Sequence, residues 1–167
     1  MAGRGALRTA HPSRHSGRAG PPRGTRRRIT RPLIVLDASA AVELVLDTPA
    51  ADRIGALLSD HRPIGVPAHF DAEAFSALRR LIRARHITND ALALAARRLM
   101  NLPAARIPVA PFLPRAVGFI DRFGAHDVFY VLLAQDWICP LLTCDGALAR
   151  ASEPMVRALF VPPTPLG

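Results

Sequence analysis

The sequence predicts an α/β fold: a three-layer α/β/α sandwich around a central, mainly parallel sheet. Two observations carry this reading. Leu33-Ile34-Val35-Leu36 is an unbroken apolar row, as expected of a strand buried on both faces in the middle of a parallel sheet. Further short apolar runs then alternate with longer helical patterns down the chain. At 167 residues and 50% apolar content, the length suits one domain and the composition supplies its core.

The net charge of +9 belongs to a tail. Residues 1–31 hold nine Arg, no acid and much Gly, Pro and Ser, and they read as a disordered Arg-rich extension. Clustered Arg suits a phosphate-binding arm. The composition equally fits an extension foreign to the native protein, with the start just before Leu33. A transit-type presequence lacks its amphipathic pattern, and Asp37 cuts short any twin-arginine signal around Arg26-Arg27-Arg28. Residues 32–167, the expected domain, carry equal numbers of Arg and acidic residues and are neutral.

The elements follow in order. Residues Ala38–Leu46 carry apolar positions at helical spacing, with Ser39 able to cap or support the start. Thr48-Pro49 opens a helix to about Ser59. Ile64-Gly65-Val66 is a short strand broken by Pro67. A long helix follows, with Phe70, Ala74, Ala77, Leu78, Leu81 and Ile82 as its apolar stripe. Thr88 or Asn89 caps the next helix, to about Asn101. Arg106-Ile107-Pro108-Val109 is a peripheral strand, and 112–123 a helix stopped by Gly124. Asp127–Trp137 is a strongly apolar helix and Leu141–Thr143 a strand. A short Ala-rich helix and a strand over 156–161 complete the chain.

Asp37, Asp127 and Asp145 sit where helices begin, and capping alone accounts for each. Glu73 is different. It lies beside the apolar stripe, and Ser76 and Ala77 at i+3 and i+4 offer no counter-charge. Asp37 and Asp145 follow strands whose carboxyl ends share one edge of a parallel sheet, and the helices of Glu73 and Asp127 can begin there. Four carboxylates converging on one edge repel unless a multivalent cation lies between them. An all-oxygen set suits Mg²⁺, with Mn²⁺ as substitute, over Zn²⁺. Such a site can activate water and steady the leaving oxygen of a phosphodiester.

Leu33-Ile34-Val35-Leu36-Asp37-Ala38-Ser39 and Phe70-Asp71-Ala72-Glu73-Ala74-Phe75-Ser76-Ala77-Leu78-Arg79 resemble the opening half of a PIN domain. Ala125-His126-Asp127-Val128-Phe129-Tyr130 and Leu141-Leu142-Thr143-Cys144-Asp145-Gly146 resemble its closing half. The likeness runs from residue 33 to about 161, at the size of VapC toxins of type II toxin–antitoxin modules. It implies a cytoplasmic, Mg²⁺-dependent endoribonuclease with Asp37, Glu73, Asp127 and Asp145 as metal-binding and catalytic acids. Ser39 and Thr143 match the hydroxyls that support such sites. It also implies a homodimer held in check by a VapB-type antitoxin. His126, where a small or polar residue is usual, is a departure without an assigned role, and the Arg-rich tail is no part of the pattern.

Other residues read blandly. Glu43 reads as a solvated or Arg-paired face residue, with contact to the site as the alternative; His61, His69 and His86 lack ligand spacing. Phe129 and Tyr130 read as core, and Trp137 as core or an interface anchor. Arg79 and Arg80 solvate their helix. Cys139 and Cys144 are small buried thiols, too few for a disulfide framework and without partners for zinc. No apolar run is long enough to cross a bilayer. The chain has no lysine, which excludes a P-loop. It also counts against the receiver and haloacid-dehalogenase families, which likewise open on Asp after a first strand but use a lysine. A structure-selective DNA nuclease and a non-catalytic interaction module remain as alternatives.

Overall fold

The computed structural model describes residues 34–165. The expectations for residues 1–31, and for Leu33 in the opening strand, lie outside these.

Five strands form one sheet: β1 (Ile34–Leu36), β2 (Ile64–Pro67), β3 (Ala104–Ile107), β4 (Leu141–Thr143) and β5 (Ala158–Phe160). Their order is β3-β2-β1-β4-β5, and every pairing is parallel. The apolar row therefore sits at the centre, as its composition predicts, and all of Ile34, Val35 and Leu36 are fully buried. Helices α1 (Ala38–Leu46), α2 (Ala51–Asp60), α3 (Phe70–Arg83) and α4 (Asn89–Met100) pack on one another, while α6 (Asp127–Trp137) lies against β1 and β2. Helices α5 (Leu113–Ala116) and α7 (Gly146–Ser152) are short. The result is the three-layer α/β arrangement. No helix among the described residues is long and apolar enough to cross a membrane.

The stripe of α3 faces inward as expected: Phe70, Ala74 and Leu78 are fully buried, with Ala77 and Leu81 packed beside them. Each large apolar side chain sealed in this way contributes about 1.5–3 kcal/mol. Thr88 caps α4 by accepting from the Ala91 amide at 3.2 Å. Trp137 packs, partly buried, against the core.

Five boundaries differ. Helix α2 starts at Ala51, because the Thr48 hydroxyl is turned back onto Glu43 while accepting a turn bond from the Ala50 amide. Strand β2 includes Pro67, and β3 begins two residues before Arg106. The expected helix over 112–123 is broken into 3-10 turns around the four-residue α5, where Pro111 and Pro114 remove amide donors. Strand β5 spans only three residues. Gly124 has no positive φ, so it is not a left-handed helix stop.

Candidate active site

The register of the sheet builds the centre of the site. Val35 and Leu36 lie opposite Leu141 and Leu142, so the residues just beyond, Asp37 and Thr143, meet at the carboxyl edge. Asp37 is 3% exposed and caps α1. Its Oδ2 accepts from the Ser39 amide, the Ser39 hydroxyl and the Thr143 hydroxyl, the last at 2.7 Å. Ser39 Oγ in turn accepts from the Cys144 amide at 2.9 Å, and Thr143 Oγ1 from the Asp145 amide at 2.9 Å. Both hydroxyl protons are thereby committed to Asp37. The three bonds to the Asp37 carboxylate all fall on Oδ2, leaving Oδ1 to an outside partner.

Burial pushes the Asp37 carboxyl above the ordinary range, against the pull of the Ser39 and Thr143 bonds, and the charge of Asp127 adds to the rise. Glu73, one turn into α3, accepts from the Tyr130 hydroxyl at 2.8 Å. It too is raised, first by burial and then by Asp37 and Asp127, while Tyr130 and His126 draw it down. Asp127, the first residue of α6, is raised by burial and by Asp145, against His126 and the Gly124 backbone. A Cβ on Gly124 would stand 2.7 Å from Asp127 Oδ2, so the glycine leaves room for this carboxylate. Asp145 caps α7, its Oδ1 accepting from Ala147 and Leu148 amides at 2.7 and 3.0 Å.

Asp37, Glu73 and Asp127 thus each feel the charge of at least one other acid of the four. Among the described residues, however, no three His, Cys, Asp or Glu side chains stand close enough to clasp an ion unaided. Mg²⁺ fits such a looser set, because it keeps several waters and takes only one or two carboxylates directly. A hard, all-oxygen donor set in which Asp37, Glu73 and Asp127 are raised by burial and by a neighbouring acid gains from a divalent cation.

Three neighbours escaped the sequence reading. Tyr130, taken for plain core, is fully buried and supplies the hydroxyl on Glu73. His69, one helical turn before Glu73, stacks on His126 with ring centroids 5.1 Å apart; that i−4 spacing was the available signal. Its Nε2 lies 3.6 Å from Glu73 Oε2, too far for a hydrogen bond, and is buried without a partner. Gly124 is the third. Glu43 is a correction: it is neither solvated nor Arg-paired but 9% exposed and bonded by the Thr48 hydroxyl. Cys144 beside it is buried, which with the Glu43 and Asp37 charges pushes its thiol up to about 12.

The chain belongs to the PIN domain family, whose model matches residues 34–154. It is 39% identical over 119 residues to Ribonuclease VapC12 of Mycobacterium tuberculosis, covering 71% of this chain and 92% of that protein. Ribonuclease VapC3 of the same organism is 38% identical over 71% of this chain and 86% of its own length. Ribonuclease VapC9 is 30% identical over 78% and 99%. Within the family, the chain sits among the VapC proteins.

Proposed function

We propose that this protein is a Mg²⁺-dependent endoribonuclease, the toxin of a VapBC-type module. The observation that carries the reading is the placing of Asp37 at the carboxyl edge of the sheet with Glu73 and Asp127 near it, each raised first by burial and then by a neighbouring acid. The relatives' name, ribonuclease, supports RNA as substrate. Asp37 Oδ1, Glu73, Asp127 and Asp145 would hold the cation, which when bound supplies Lewis-acid stabilisation of phosphate charge and lowers the pKa of water. Ser39 and Thr143 fix Asp37 in one rotamer with Oδ2 fully bonded. Tyr130 keeps Glu73 oriented and favours its ionised form. A VapB-type antitoxin and a second copy of the chain are the expected partners. The exposed apolar side chains of Leu113, Val117 and Ile120 support a protein partner on the face next to Gly124.

The test uses matched single-stranded RNA and DNA with Mg²⁺ or with chelator. Cleavage of RNA that needs Mg²⁺ and vanishes in Asp37→Asn, with the circular dichroism unchanged, is expected. Undiminished cleavage by that variant refutes the assignment, and preferential cleavage of DNA refutes the substrate.

A further inference from the structure

His126 occupies the N-cap position of α6 yet makes no side-chain cap bond, so capping does not explain it. Ser, Thr, Asp or Asn would serve a cap better. Its ring instead lies on His69, with centroids 5.1 Å apart and planes 29° apart. His69 is itself framed edge-on by Phe129 and Tyr130, each at 5.5 Å. That frame makes His69 a fixed floor under His126. His126 is exposed, and no other ring among the described residues stacks on it, so its outer face is open to solvent. It also stands beside the acids, near enough for its charge to act on both Glu73 and Asp127.

We infer that His126, backed by His69, is a stacking platform for the base of an unpaired nucleotide next to the scissile phosphate. The inference rests on the nuclease reading and adds a positioning residue to it. A phosphate held over the acids brings the base of its own or the adjacent nucleotide to this edge. Single-stranded RNA offers such bases, and side chains including His receive them by stacking. Every base has a π face, so the platform tolerates sequence while disfavouring duplex, whose bases stay paired and stacked.

The probe is a short single-stranded RNA in which 2-aminopurine replaces every adenine, with cleavage held off by Asp37→Asn. That protein quenches the probe on binding. Adding His126→Ala weakens binding about tenfold and removes the quenching, whereas adding His126→Phe keeps both. In the otherwise native enzyme, His126→Ala raises KM about tenfold with a smaller change in kcat, and His126→Phe restores it. A His126→Phe variant as impaired as His126→Ala overturns the platform in favour of imidazole chemistry. Full binding and quenching by His126→Ala overturns it as well. Stacking results as expected, combined with no Mg²⁺-dependent cleavage by the native protein, support the platform and refute only the nuclease reading.

Discussion

Replacing Tyr130 with Phe removes one atom, the hydroxyl oxygen that donates to Glu73 Oε2 at 2.8 Å. Burial holds the phenol far above its ordinary pKa, so it remains a donor at every working pH. A hydrogen bond to a charged group contributes about 1.5–3 kcal/mol. If the cation binds only ionised Glu73, that loss weakens it by roughly 10- to 150-fold at a pH where proton and cation compete. The sign follows from the forces on Glu73: burial, Asp37 and Asp127 already raise it, and Tyr130 opposes them. Without the donor, protonation extends to higher pH, so the defect is larger at pH ~6 than at pH ~8. The assay is the Mg²⁺ concentration giving half-maximal RNA cleavage at the two pH values. The Glu73 side chain is 23% exposed, so water can take the vacated position and the fold survives. A requirement for Mg²⁺ unchanged from the native enzyme, or raised equally at both pH values, refutes the reasoning.

Gly124→Ala places a Cβ 2.7 Å from Asp127 Oδ2 and must displace that carboxylate; cleavage falls on the order of a hundredfold, while melting shows the flexible side chain yielding at little cost to stability. For pH, the raised pKa values of Asp37, Glu73 and Asp127 mean that the folded state holds protons more tightly than the unfolded chain. Their contribution is fullest below the unfolded values and is lost as pH rises through the folded ones. In chelator, Asp37→Asn therefore gains in Tm over the native protein between about pH 4 and pH 7, and a gap that narrows contradicts the cause given. Arg106 grips Asp71 through two bonds, at 3.0 and 2.8 Å, and also donates to the carbonyls of Leu102 and Ala104. Arg106→Ala costs about 1–2 kcal/mol in urea unfolding, with RNA cleavage retained.

The strand row and the helix-start positions of Asp37, Asp127 and Asp145 were readable because their signals are local. Ile34-Val35-Leu36 has no polar residue to turn outward, and Asp37 interrupts it in one step. Glu73 stood out for lacking a helical counter-charge, but the structure answers it with a hydroxyl 57 residues away, which no spacing rule reaches. Glu43 was misjudged for a similar reason. Its partner Thr48 looked like a helix cap, but its hydroxyl donates back across the turn to Glu43. The stretch 112–123 has enough apolar residues to suggest a helix, and the prolines in and before it decided otherwise. His126 drew attention in sequence only as a departure; its meaning comes from His69, which the fold brings beneath it.

The central claim is that these carboxylates share a divalent cation. Calorimetric titration of Mn²⁺ into the native protein and into Asp37→Asn tests it without depending on the RNA target. The native protein should take up Mn²⁺, and the variant, folded to the same circular dichroism, should show no uptake at that site. Equal uptake by both, or none by the native protein, contradicts the metal-holding role of Asp37.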